Sequence, residues 1–72
     1  MRLSDMIIGQ SKRVIKLNNP ADVRIRLNEI GLTEGVKVTL IRKAPLLDPI
    51  EIKVRDFYLA LRVCDANLIE VE

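Results

Sequence analysis

Apolar and polar residues trade places along most of this chain, and the period of the exchange changes from one segment to the next. Over residues 10–17, Lys12, Val14 and Lys16 alternate with Arg13, Ile15 and Leu17, an imperfect two-residue period rich in β-branched side chains that predicts a strand. Asn18 and Asn19 end it. Asn19 before Pro20 places a side-chain acceptor at a helix N-cap and proline at the first helical position, and Asp22 adds a carboxylate where the helix dipole favours one. Val23, Leu27 and Ile30 share one face, and Gly31 stands where a left-handed C-terminal cap is needed, so a helix is predicted over 20–30. Val36-Lys37-Val38-Thr39-Leu40 alternates cleanly and predicts a second strand. Ile50, Ile52 and Val54 alternate with Glu51, Lys53 and Arg55, and Asp56 marks a tight turn into 57–61, which predicts a hairpin. Asp65-Ala66-Asn67 turns the chain into a short closing strand over 68–71. Between the two central strands, Ala44-Pro45-Leu46-Leu47-Asp48-Pro49 breaks the pattern, because its prolines fix φ and lack the donors a central ladder needs. This is a loop or an irregular edge.

The reading is mainly β: about five strands and one inserted helix within 72 residues. That is too little for a two-layer sandwich, but enough to curl into a small SH3-like barrel with the helix over one opening. An open antiparallel sheet with the helix on one face satisfies the same pattern. One domain over 1–72 is expected, since a chain of this size buries only about 60% of its unfolded surface and needs most of its apolar residues for a single core.

Charge and composition narrow the chemistry. Twelve Lys and Arg face ten Asp and Glu, with signs interleaved and a net charge of +2. There is no histidine, the usual general base near neutral pH and a frequent ligand of zinc and iron, so an enzyme is not expected. The single cysteine, Cys64, cannot close an internal disulfide, no apolar run approaches the roughly 20 residues of a membrane helix, and residues 1–9 lack a secretory leader; a cytoplasmic location is expected. Nucleic-acid binding is disfavoured. Phe57 and Tyr58 are adjacent on one strand and point to opposite faces, so at most one can stack on a base and the other belongs to the core.

Arg26-Leu27-Asn28-Glu29-Ile30-Gly31-Leu32, Gly35, Ala44-Pro45-Leu46, Asp48-Pro49-Ile50, Leu59-Ala60-Leu61-Arg62 and Ala66-Asn67-Leu68-Ile69-Glu70-Val71, with Leu3-Ser4-Asp5-Met6 and Gly9 before them, resemble the FeoA family, ferrous iron transport protein A. The likeness covers essentially the whole chain and rests on the order and spacing of the pieces. It implies an SH3-like barrel related to the C-terminal domain of iron-dependent repressors of the diphtheria-toxin-repressor type. It also implies a cytoplasmic accessory, without cofactor, of FeoB, the membrane transporter of Fe(II) with a cytosolic GTPase region. Leu47 and Asp56 depart from the family pattern, each standing where glycine is frequent. Aspartate tolerates positive φ, so the turn at Asp56 should be kept, whereas leucine at 47 should either reshape its loop or expose an apolar side chain.

Partner contact is therefore expected at the loop residues Pro45, Leu46, Leu47 and Pro49, with at least one leucine visible, and at Ile50. Ile25 lies off the buried helix stripe and adds a second apolar point. Arg26, at the flank of that stripe, and Arg62, at the end of the last hairpin strand, would supply charge complementarity. Cys64 reads as a small buried hydrophobe. With Asp65 and Glu70 it could hold a metal ion only if two copies shared it, a form of self-association the sequence permits. The function expected is an adaptor that docks on the cytosolic GTPase region of FeoB and modulates Fe(II) uptake, touching the membrane only through the transporter. The alternative is a stand-alone regulatory module like the barrel of an iron-responsive repressor.

Overall fold

The computed structural model describes residues 1–72. Five strands are formed: β1 (Ser11–Leu17), β2 (Lys37–Lys43), β3 (Ile50–Val54), β4 (Phe57–Leu61) and β5 (Ile69–Val71). Helix α1 (Ala21–Glu29) joins β1 to β2, a one-turn helix α2 (Val63–Ala66) joins β4 to β5, and Leu3–Asp5 forms a 3-10 turn. The five strands and the long helix agree with the sequence pattern. The two short helical turns went unseen because they are too brief for a periodicity to register.

The strands make one antiparallel sheet in the order β4-β3-β2-β1-β5. Its curvature comes from β1, which changes partner midway. Ser11, Lys12 and Arg13 lie opposite Thr39, Val38 and Lys37 of β2, whereas Val14, Lys16 and Leu17 lie opposite Val71, Glu70 and Ile69 of β5. A bulge falls between Val14 and Lys16. It inserts one extra residue and turns Leu17, like Val14, into the core, which explains why the alternation along β1 is imperfect. A second bulge between Leu40 and Arg42 bends β2. Two such bends roll the sheet into a half-open barrel with β4 and β5 at its two ends, around a core of 16 buried apolar residues.

The C-terminus of α1 is closed as Gly31 suggested. Its amide donates to the Asn28 carbonyl at 3.1 Å, and the Leu32 amide donates to the Leu27 carbonyl at 2.9 Å, while Gly31 adopts φ +98°. This is the paired bonding of a Schellman cap, and Leu27 and Leu32 are both buried beside it. The N-terminus differs from expectation. Asn19 is buried and donates through Nδ2 to the Asp65 carbonyl at 3.0 Å, tying α1 to α2 instead of capping its own helix. Of the helix stripe only Leu27 is fully buried; Val23 is half-buried and Ile30 is 38% exposed. The 55–56 turn also differs: Arg55 takes the positive φ of 54°, not Asp56. Positive φ at the first central position alone is the II′ pattern, so the two-residue hairpin connection forms, but with Arg55 and not Asp56 in the strained conformation.

Candidate functional site

Residues 44–49 form a structured loop. The Leu47 amide donates to the Ala44 carbonyl at 2.7 Å, and the Ala44 amide donates to the Pro49 carbonyl at 3.0 Å. Asp48 Oδ1 accepts from the Val63 amide at 3.1 Å, so the loop also supplies the acceptor that the first turn of α2 needs. Held this way, Leu46 and Leu47 project outward at 89% and 65% exposure, and Pro45 and Pro49 are exposed beside them. Leu47 adopts a positive φ of 66°, a conformation glycine takes more readily, and its apolar side chain is displayed to solvent. Ile50 is different. It is 2% exposed and belongs to the core, because it opens β3 on the inward face.

A groove of about 390 Å³ runs between α1 and β4, lined on one side by Arg26, Leu27 and Ile30 and on the other by Leu59, Ala60 and Leu61, with Arg62 and Asp65 at one end. A smaller depression of about 240 Å³ lies between Pro49, Arg42, Glu51 and Ala60. Ala60 borders both, and Ala44 and Pro49 of the 44–49 loop border the smaller one. Arg26 and Arg62 are therefore brought together on one surface, and Arg62 also meets Asp65 at 3.5 Å. Ile25 is exposed on α1 but does not line the groove.

The open edge of β4 adds backbone to this surface. Val54 lies opposite Phe57 across a two-residue turn, which makes them a hydrogen-bonded pair, and the alternation then leaves Tyr58 and Ala60 pointing their N–H and C=O groups away from β3. By contrast, the Met1 carbonyl accepts from the Val71 amide at 2.7 Å and Arg2 bridges Glu70, so the outer edge of β5 is covered. No pattern in the chain marks Leu59, Ala60 or the β4 edge, and helical periodicity places Ile30 in the core; an edge strand is defined only by the sheet order.

Phe57 and Tyr58 do point apart, yet neither is buried: Phe57 rests against Gly31 and Lys53 Nζ sits 5.7 Å from the Tyr58 ring centre. Cys64 is exposed on α2, not buried, because the chain forms a helical turn there and Ala66 takes the inward position. Asp65 is engaged by Arg62, and Glu70 lies opposite Lys16. No three Cys, Asp or Glu side chains converge in the fold.

Residues 1–72 match the FeoA domain family. The Fe(2+) transport protein A/Fe(2+) transporter FeoB fusion protein of Porphyromonas gingivalis is 35% identical over 72 residues, which is 100% of this chain and 8% of that far longer protein. Among solved structures, the FeoA protein from Chlorobium tepidum superposes with a TM-score of 0.96 at 36% identity, covering 100% of this chain and 69% of that one. FeoA of Stenotrophomonas maltophilia, complexed with zinc and described as a prokaryotic SH3 domain protein, superposes at 0.86 with 28% identity, covering 100% and 89%. The bent five-stranded sheet is accordingly an SH3-like one, and the chain belongs to the FeoA family, linked to ferrous iron transport by the fusion to FeoB.

Proposed function

We propose that this chain is a cytoplasmic, non-enzymatic adaptor that docks on the cytosolic GTPase region of an FeoB-type transporter and modulates Fe(II) uptake. The fusion of a FeoA-like segment to FeoB in the Porphyromonas gingivalis relative carries the reading. Covalent linkage holds two modules at high effective concentration, which is useful where they act on one another. The surface that would meet the partner is the 44–49 loop with Leu46 and Leu47, flanked by the groove with Arg26 and Arg62 at its rim. Ile25 adds an apolar point on the outer side of α1. An apolar centre with arginines around it is the composition of a protein interface. Modulation follows if the barrel binds one conformation of the GTPase region more tightly than another, since the population then shifts by the ratio of affinities.

Full burial of each exposed leucine is worth about 1.5–3 kcal/mol. Leu46→Asp together with Leu47→Asp should therefore weaken binding to the purified cytosolic GTPase region at least about tenfold. Isothermal titration calorimetry measures the affinity, circular dichroism checks the fold, and Fe(II)-dependent growth reads the consequence. Unchanged affinity and growth with an intact fold would remove this loop from the docking surface.

A further inference from the structure

The outer face of the sheet carries a cluster of like charge that the docking surface does not use. On β1 to β3 the fully buried positions are all apolar, and the outward ones include Ser11, Arg13, Lys37, Thr39 and Lys53, with Arg55 following in the turn and Arg42 and Glu51 farther along the same face. The register sets them in rows. Arg13 lies directly opposite Lys37, and Val38 opposite Val54 puts Lys37 across from Arg55. In the next row Ser11, Thr39, Lys53 and Tyr58 follow one another across four strands. Lys37, Thr39, Lys53 and Arg55 line a shallow depression of about 360 Å³, in which Asp56 is the only carboxylate.

Like charges directly opposite on a sheet face repel and cost stability. Elsewhere on this sheet the charges are matched: Lys16 lies opposite Glu70, and Arg42 opposite Glu51 at 4.0 Å. The three ion pairs of the chain leave Arg13, Lys37, Lys53 and Arg55 unpaired, although the net charge is only +2. Arg13 donates to the Gly35 carbonyl at 3.0 Å, which positions its guanidinium without neutralising it. The Ser11 and Thr39 hydroxyls, 2.7 Å apart, add polar groups between the cations. A face of this kind is complementary to an array of anions.

We propose that this face lies against a bilayer surface bearing anionic phospholipid headgroups. The cationic array is a property of the sheet by itself; the choice of a membrane as its source of anions rests on the proposed association with a membrane transporter. Single-stranded nucleic acid fits less well, because base stacking needs free aromatic faces. Lys53 Nζ lies over one face of the Tyr58 ring and Phe57 is turned toward Gly31, which leaves one face of one ring where stacking of successive bases needs several. Each Lys or Arg near an anionic leaflet strengthens attachment about fivefold. Four together strengthen it on the order of 10³-fold, a single signal which, like one myristoyl chain, gives only reversible attachment. Such a face orients and concentrates the protein at the membrane but does not anchor it, so a second contact, the transporter, is needed for stable residence.

The test is co-sedimentation of the full chain with phosphatidylcholine vesicles with and without phosphatidylglycerol. Binding is expected only to the anionic vesicles. It should fall as ionic strength rises from about 0.01 to 0.15 M and the Debye length shortens from about 30 to about 8 Å. Lys37→Gln with Arg55→Gln should weaken it about 25-fold, while Arg24→Gln on the exposed side of α1 should leave it within about twofold. The Leu46→Asp/Leu47→Asp variant should bind vesicles like the unaltered chain, so a failure of transporter docking and a failure of lipid binding are read separately. No retention on anionic vesicles at low salt, equal retention on neutral ones, or an unaffected Lys37→Gln/Arg55→Gln variant would overturn the proposal. Tighter retention by a DNA duplex than by the vesicles at equal phosphate concentration would overturn it in favour of nucleic acid.

Discussion

Replacing Gly31 by alanine tests how α1 and β4 define the groove between them. Gly31 sits at φ +98°, and an added Cβ would lie 3.2 Å from Phe57 Cζ and 3.5 Å from Cε1. Gly35 has nearly the same backbone, at φ +88°, but a Cβ there would meet nothing within 4 Å. The pair separates backbone strain from contact. A positive φ costs an L-residue about 1–2 kcal/mol, and alanine returns about 0.4–1 kcal/mol by restricting the unfolded chain. Gly35→Ala should therefore destabilise by about 1 kcal/mol. Gly31→Ala carries the same cost and must also displace the Phe57 ring, which is 38% exposed and free to swing outward at an off-rotamer cost of about 0.5–1.5 kcal/mol. Its total should be about 2 kcal/mol, a fall in Tm on the order of 10 °C for a domain of this size. Urea denaturation with an unchanged m-value measures both variants. In a Phe57→Ala background the excess of Gly31→Ala over Gly35→Ala should vanish, and the cycle isolates the contact. Equal costs for the two glycines in the unaltered chain, or an excess that survives removal of Phe57, would refute the reasoning.

Leu47→Gly relieves the strain at φ 66° while increasing the freedom of the unfolded chain, so stability should stay within about 0.5 kcal/mol in urea while binding to the GTPase region weakens. Asp48→Ala removes the acceptor of the Val63 amide and should cost about 0.5–2 kcal/mol, the range of a lost helix cap, with faster amide exchange at Val63. The Arg2 guanidinium hydrogen-bonded to Asp5 at 3.2 Å holds its carboxyl below the usual carboxylate range. A depressed carboxyl pKa stabilises the fold above its unfolded value, and the contribution is lost as pH falls through the folded value. Arg2→Ala should accordingly raise the Asp5 midpoint in a side-chain carboxyl NMR titration and flatten the acid limb of stability.

Local chemistry was legible in the chain itself. The β3–β4 hairpin follows from Ile50, Ile52 and Val54 alternating up to a two-residue turn, and the end of α1 from Gly31 after Leu27, because strand faces and helix caps are decided by residues a few positions apart. The same holds for the prolines that kept 44–49 out of the sheet and for the mismatch of Leu47 with a position favouring glycine. Only the tertiary structure decided what depends on long-range register. The β1 bulge turned Leu17 inward, the start of β3 buried Ile50, and a helical turn at 63–66 exposed Cys64, each overriding a reading based on neighbours in sequence. Arg26 met Arg62 across a groove, and β4 was left with an open edge, only because the sheet order put it at one end. Interleaved charges likewise became a single cationic face, since strands brought together from distant segments set Arg13, Lys37 and Arg55 in one row.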